Sequence, residues 1–133
     1  MKNMIDKPIP KGTSVLVTVL SNVNPDEFEV EIEPDEGYLY DLSYIVLDMS
    51  NAPELSAYLI GVTDEGEYPL INNPTESWSD DVTVGYRVAV LDRTDFEGVL
   101  FKKLVLKVTI LSTTTKINRI TLEFGGRMVT PWL

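Results

Sequence analysis

Carboxylates are the residues of this chain that could do chemistry. The chain has 133 residues, of which 21 are Asp or Glu, and it contains neither histidine nor cysteine. It therefore cannot form a serine–histidine triad, a thiol nucleophile, or a zinc site built from imidazole or thiolate ligands. Two kinds of carboxylate chemistry remain to be considered, namely calcium binding and acid–base catalysis.

The acids are concentrated between Asp26 and Glu36, where seven of them occur without a basic residue. Within this segment, apolar and acidic residues alternate from Phe28 to Glu33. Alternate glutamates on one strand face lie about 7 Å apart, which is too far for one ion. The better calcium ligands are acids in predicted turns: Asp35, Glu36, Asp64 and Glu65. We favour a solvated sheet face over a metal site, so no cofactor is expected, with Ca²⁺ as the alternative.

Paired carboxylates can hydrolyse glycosides, but nothing in the sequence marks a pair as buried or geometrically constrained. The acids fall on outward strand positions and in turns of a small chain. We therefore expect no enzymatic activity.

Aromatic residues suggest a second kind of site, because rings can stack on sugars. Trp78 lies in a polar loop, and an exposed tryptophan usually packs on or binds something. Together with Tyr68 it makes a carbohydrate- or receptor-binding module the alternative function. Tyr38, Tyr40 and Tyr44 are instead expected to share one face of a strand and to enter the core.

Both ends of the chain are more apolar than chain termini usually are. They could pack on their own domain or dock on a neighbouring subunit, and the outward positions of the first predicted strand are apolar as well. The residues predicted to form such an interface are Met4, Ile5, Ile9, Leu16, Leu20, Met128, Val129, Trp132 and Leu133.

The elements that would position these groups are β-strands. Side chains alternate between the two faces of a strand, so Phe28, Val30 and Ile32 are expected to enter a core while the glutamates stay in solvent. About eight antiparallel strands, with turn signals every ~8–12 residues, predict a single all-β sandwich of jelly-roll type. Residues 1–12 are interpreted as an N-terminal arm, residues 13–133 as the sandwich domain, and residues 128–133 as its apolar tail.

Four local predictions accompany this assignment. A strand at Leu55–Thr63 is preferred to a short helix, because the segment is rich in β-formers. Residues 92–98 are interpreted as a turn, and Gly125-Gly126 is expected to break the last strand. In the strand at 82–91, Val88 and Val90 share one face and Arg87 lies on the other.

Charge is divided unequally along the chain. Residues 1–66 hold 13 acidic and 3 basic residues, whereas residues 67–133 hold 8 of each, so the net charge of −10 arises in the first half. The basic stretch Lys102–Arg119 is expected to meet the acidic strand, within the fold or across a subunit contact. A net charge of −10 repels nucleic acid and anionic lipid. No signal peptide or membrane-spanning run is found, so a soluble protein is expected.

Two segments carry a resemblance to a known class of proteins. Residues 33–45 resemble the proline–x–x–glycine turn and long strand of β-sandwich structural proteins of tailed phages and other viruses, and residues 122–127 resemble their final strand. The resemblance implies a non-enzymatic head decoration, turret or tail accessory protein on the virion surface. Together with the apolar chain ends, it predicts a homo-oligomer, a trimer being one form, whose partners are copies of itself and other capsid or tail proteins.

Overall fold

The structure is a computed structural model that describes residues 6–20, 22–52, 54–71, 79–81, 86–111 and 117–130, with only the backbone at 79–81, 86 and 87. The elements of this part are, in chain order, β1 (Asp6–Pro8), β2 (Ser14–Leu20), β3 (Glu27–Ile32), β4 (Leu39–Asn51), β5 (Leu55–Thr63), β6 (Gly66–Ile71), β7 (Ser79–Asp81), β8 (Tyr86–Asp92), α1 (Arg93–Phe96), β9 (Lys103–Ile110) and β10 (Ile117–Val129).

These strands form two antiparallel sheets. The larger sheet has six strands in the order β1-β10-β4-β8-β7, with β2 also pairing β10. Strand β10 is long enough to pair with β2 along its first half and with β1 along its second half, on the side away from β4. The smaller sheet has four strands in the order β3-β9-β5-β6. The predicted all-β sandwich is thereby confirmed.

The core lies between the two sheets and follows the alternation in the sequence. In β3, Ile32 is buried and Phe28 and Val30 pack against the core, while Glu29 and Glu31 are exposed, as predicted. The centre is formed by fully buried side chains from both sheets. These include Ile45, Leu47, Leu55, Leu59, Leu104, Leu106, Leu122 and Phe124.

The described part of the predicted arm is part of the larger sheet. Asp6–Pro8 is strand β1 on β10, and the Ile9 amide donates to the Gly126 carbonyl at 3.1 Å. The predicted strand at Leu55–Thr63 is confirmed as β5.

Two local predictions are wrong. Strand β10 continues through Gly125-Gly126, because the ladder with β4 accommodates the pair by a register shift that skips Ser43. The segment after β8 contains a one-turn helix, α1, instead of a plain turn. A capping box between Asp92 and Asp95 stabilises that helix.

Candidate association surface

Strand β2 lies at the edge of the six-stranded sheet. Val15, Val17 and Val19 point inward, and Val19 is fully buried. Leu16 points outward and is 61% exposed. Of the strands that the structure describes, only β10 pairs with β2, so the other edge of β2 has no strand beside it there.

The hydrogen-bonding groups of β2 alternate between β10 and the open edge. The Phe124 amide donates to the Thr13 carbonyl at 3.2 Å in the same register that pairs β10 with β2. In an antiparallel ladder every second pair is hydrogen-bonded, so Val15, Val17 and Val19 direct their amides and carbonyls to β10. Ser14, Leu16, Thr18 and Leu20 direct theirs away from it.

The turn that follows β2 agrees with this alternation. It binds the main-chain amide and carbonyl of Leu20, which are therefore not open to another chain. The Leu20 amide donates to Asn24 Oδ1 at 2.8 Å, and its carbonyl accepts from the amides of Val23 and Asn24. The open edge therefore presents the amides and carbonyls of Ser14, Leu16 and Thr18.

An apolar patch accompanies this edge on the outer face of the sheet. Leu20 is paired across the strands with Ile117, which is 57% exposed, and Leu16 is paired with Thr121. Directly opposed side chains in an antiparallel pair lie about 5 Å apart, so Leu20 adjoins Ile117, and the opposed pair of Thr18 and Arg119 lies between them and Leu16. Val90 adds a further apolar side chain, 66% exposed, on the same outer face but near the opposite side of the sheet.

Strand β2 differs in charge from the other described edge strands. Edge strands commonly carry charges or proline, which discourage pairing with another chain. Strand β3 has a glutamate at every second position, β7 has two aspartates, β6 has Glu67 and Pro69, and β1 consists of Asp6, Lys7 and Pro8. Strand β2 contains no charged residue and no proline, so it lacks these protections.

Three of the predicted interface residues are covered by their own domain. Ile9 and Met128 are each 7% exposed and Val129 is fully buried. They cannot offer apolar surface to a neighbour, because pairing of β1 with the end of β10 draws them into the sandwich. Leu16 and Leu20 lie on the outer face, Leu20 half-buried. Met4, Ile5, Trp132 and Leu133 lie outside the described residues.

Two of the four acids proposed as calcium ligands are engaged in ion pairs. Asp35 pairs with Lys7, and Asp64 Oδ1 lies 3.0 Å from Lys102 Nζ. The hydrogen bond to Asp35 raises the pKa of the Lys7 ammonium. In the described part of the chain, no three carboxylates come together as a group that could hold a metal ion. Asp35, Glu36, Asp64 and Glu65 thus do not converge on one site.

The acidic strand meets the basic stretch inside the fold, which confirms one of the two predicted arrangements. Lys103 Nζ lies 2.6 Å from Glu31 Oε1, and Lys107 Nζ lies 3.7 Å from Glu29 Oε1, both across β3 and β9. The Glu31 hydrogen bond raises the pKa of Lys103. These lysines neutralise part of the acidic face locally.

A buried carboxylate joins the N-terminal strand to the sheet. The Asp41 side chain is 9% exposed; its Oδ2 accepts from Arg127 Nε at 2.8 Å, and its Oδ1 lies 3.7 Å from Arg93. Arg127 also pairs with Asp6. The contact with Asp41 raises the pKa of the Arg127 guanidinium. Because Asp41 is held between two guanidinium groups, its arrangement suits a structural clamp rather than proton transfer.

Tyr68 is packed against its own domain on one side and lines a shallow groove on the other. Its hydroxyl donates to the Asp95 carbonyl at 3.1 Å, and its ring meets Phe101 edge-on at 5.8 Å. The groove, of about 400 Å³, is also lined by Asp64 and Glu65. Trp78 lies outside the described residues.

Sequence reasoning missed Ile117 and Val90 as members of the outer apolar surface. The alternation of side chains along each strand could have revealed them. Ile117 lies an odd number of residues from the buried Asn118, Ile120 and Leu122, and Val90 adjoins the buried Ala89, so both lie on the outer face. In β8 the face shared by Val88 and Val90 is therefore the outer one.

Comparison with known proteins provides no family assignment. No protein-family model matches the chain, and no curated protein is significantly similar to it in sequence. Within the described residues, no helix has the length and apolar character needed to span a membrane.

Proposed function

We propose that this protein is a non-enzymatic structural subunit that acts by associating with copies of itself, as a decoration or surface assembly protein of a virion. The observation that carries the proposal is the open edge of β2. Its amides and carbonyls are unprotected by charge, and Leu16 and Ile117 are exposed beside it. Such an edge is a template for pairing with another chain.

The proposal includes a jelly-roll topology for the sandwich. It is supported by four nested antiparallel pairs, β2 with β10, β3 with β9, β4 with β8 and β5 with β6. A long hairpin of eight strands that is rolled up would pair its strands in this order and distribute them as β2-β10-β4-β8 and β3-β9-β5-β6, the order seen in the two sheets. Jelly rolls occur in viral capsid proteins and in lectins, so the topology agrees with the proposal without selecting it.

The virion setting is supported by the resemblance of residues 33–45 and 122–127 to phage and viral sandwich proteins. The first segment covers the turn before β4 and the first half of β4, and the second lies in the middle of β10. These parts of β4 and β10 pair with each other in the larger sheet. Other capsid or tail proteins would be further partners on the virion surface. A gene neighbourhood containing capsid or portal genes would support this setting, and a neighbourhood of metabolic genes would contradict it.

The absence of a catalytic role is also part of the proposal. It is supported by the pairing of Asp35, Asp41, Asp64, Glu29 and Glu31 with lysines or arginines. A carboxylate whose oxygens contact a lysine or arginine of its own fold has fewer oxygens free to contact a substrate.

The association itself is tested by measuring mass in solution across a wide concentration range, for example by sedimentation equilibrium. We expect an oligomer that dissociates only on dilution. A monomer at every concentration would contradict the proposal.

The groove beside Tyr68 favours a carbohydrate-binding module as the second candidate. An aromatic ring next to the carboxylates of Asp64 and Glu65 is suited to a sugar, which offers an apolar face and hydroxyl donors. A glycan array should then show binding that is lost in Glu65→Gln and in Trp78→Ala but kept in Glu27→Gln, a change on the far edge strand. An array without binding would eliminate this candidate.

A further inference from the structure

We infer that two copies of this chain pair through their β2 strands, antiparallel about a two-fold axis at Leu16, so that their six-stranded sheets become one continuous sheet. The inference rests on the proposed self-association and deepens it by naming the partner, the strand and the register. The partner is a second copy because the open edge is complementary to itself, as the following register shows.

The register follows from which groups of β2 are open. Ser14, Leu16 and Thr18 present amides and carbonyls outward, whereas those of Leu20 are bound by the turn at Val23 and Asn24. When β2 pairs antiparallel with β2 of a second copy, the residue numbers of any two opposed residues add up to the same value. Only pairing of Leu16 with Leu16 of the second copy, and of Ser14 with its Thr18, uses all three open residues on both chains. Each pair then forms two main-chain hydrogen bonds.

Side chains fit the same register on both faces of the continuous sheet. On the outer face, Leu16 meets Leu16 of the second copy, which covers the side chain that is 61% exposed in the single chain. On the inner face, Val15 comes opposite Val17 of the second copy, and both are half-buried β-branched residues that suit adjacent strands. Removing this apolar area from water stabilises the contact at roughly 25 cal/mol per Å².

Opposite charges flank this contact, three strand spacings or about 14 Å apart, although each chain has a net charge of −10. On β10, Glu123 is the neighbour of Ser14, and Arg119 is the neighbour of Thr18. Since Ser14 faces Thr18 of the second copy, Glu123 of one chain and Arg119 of the other share a row of the outer face. The acidic strand β3 belongs to the other sheet, and its Glu29 and Glu31 are paired with Lys107 and Lys103 of the same chain.

The first test is Leu16→Lys with Val90→Lys as its matched control. Val90 is 66% exposed on the same outer face but lies on β8, away from the β2 edge, so the two changes add the same charge at similar exposure. Leu16→Lys would place two ammonium groups opposite each other at the two-fold axis, and we expect the dimer dissociation constant to rise at least ~10-fold. Val90→Lys, which changes the net charge equally but away from the contact, should not raise it. Circular dichroism melting of both variants verifies that each is folded.

The second test fixes the register by cysteine cross-linking, which is clean because the natural chain has no cysteine. Two Leu16→Cys chains would have their Cα atoms about 5.5 Å apart in the hydrogen-bonded pair, within the range for a disulfide. We expect a disulfide-linked dimer under mild oxidation. Thr18→Cys on the same strand is the control, because its two copies would lie about 14 Å apart and should not cross-link.

The outcomes separate the inference from the proposed function. An oligomer that is insensitive to Leu16→Lys, a trimer, or equal cross-linking at Thr18→Cys would overturn β2 pairing while leaving self-association intact. A monomer at all concentrations would overturn both. Dimers that Leu16→Lys dissociates and Leu16→Cys traps would establish the contact.

Discussion

Gly126 is the residue at which the backbone of the larger sheet is most constrained. Its φ is +134°, and a Cβ there would come 2.4 Å from the Asp41 carbonyl oxygen and 2.8 Å from the Ser43 amide nitrogen. Both obstacles are main-chain atoms of β4, which cannot move without breaking the ladder. Glycine at this position thus permits the register shift that skips Ser43.

We predict that Gly126→Ala destabilises the fold by at least ~2 kcal/mol, since it adds a main-chain clash to a strained φ. Gly66→Ala is the matched control, because Gly66 has a φ of +123° but open space around it. The control should lose only about 1 kcal/mol. Urea denaturation measures both values, and equal losses would show that the contact with β4 contributes nothing.

Tyr40 makes the fold sensitive to high pH. Burial, helped by the negative charges of Asp35 and Glu33, raises the pKa of its phenol from 10.0 to about 12. Because folding favours the protonated form, this contribution to stability is present below pH 10 and is lost as the pH rises from about 10 through about 12. It is worth on the order of 2 kcal/mol.

We therefore predict that Tyr40→Phe moves the alkaline unfolding transition to higher pH while keeping the edge-on ring contact with Phe124 at 5.4 Å. Tyr58→Phe, at a ring that is 42% exposed, is the control and should leave the transition in place. Circular dichroism during a base titration follows both variants. An unchanged transition in Tyr40→Phe would show that another group controls unfolding.

Among the elements, α1 is a single helical turn of four residues that is stabilised by its cap. Asp92 Oδ1 accepts from the Thr94 amide at 2.9 Å, and the Asp95 carboxylate accepts from the Asp92 amide. The helix carries Phe96, which is 2% exposed and packs edge-on against Phe101 at 6.2 Å. The cap thereby positions an aromatic side chain of the core.

The hydrogen bonds from Thr94 hold the pKa of Asp92 below its ordinary value of 3.8. A lowered pKa in the folded state contributes stability above pH 3.8 that is lost as the pH falls below it. We predict that Asp92→Ala lowers the Tm by several degrees at neutral pH and that its deficit shrinks below pH 3.8. Asp92→Asn keeps an acceptor oxygen and should retain most of the Tm. Thermal melts at neutral pH and below pH 3.8 measure the loss of Tm in each variant. A loss of Tm in Asp92→Ala that is the same at both pH values would contradict the prediction.

Alternation along single strands predicted the elements well but failed where the register shifts. Phe28, Val30 and Ile32 face the core as expected, because β3 is regular. Tyr40 and Tyr44 were expected on one face, yet Tyr40 is buried while Tyr44 lies on the outer face and donates to Glu123 at 2.9 Å. The skipped Ser43 reverses the alternation between them, and Gly126, which permits the shift, lies on β10 about 80 residues further along the chain.

The candidate site was only partly predictable for a different reason. Leu16 and Leu20 could be placed on the outer face from β2 alone, but which edge of β2 stays open depends on pairing with β10, about 100 residues further along the chain. The clamp between Asp41 and Arg127 spans 86 residues and has no local pattern either. Long-range pairing also drew Met128 and Val129 into the core rather than to a neighbour.

At the scale of the whole molecule, the acidic strand and the proposed association edge lie on different sheets. The smaller sheet carries the acidic strand with its lysine partners, and the larger sheet carries the uncharged edge. Lysines of β9 are occupied inside the fold, so they do not serve to attract the acidic strand of another copy. The net charge of −10 on each chain then opposes association at long range, while the short-range contact at β2 favours it.

This opposition predicts that salt strengthens the association. Raising the salt concentration from about 0.03 M to about 0.5 M shortens the Debye length well below the size of the molecule, so repulsion between two copies is screened while the apolar contact is kept. We expect the dissociation constant to fall several-fold in sedimentation equilibrium. A Glu27→Gln/Glu36→Gln variant, which removes two exposed charges outside β2, should associate more tightly at low salt and show less salt dependence. Weaker association at high salt would instead mean that opposite charges hold the copies together, and that repulsion between the two net charges of −10 does not govern the association.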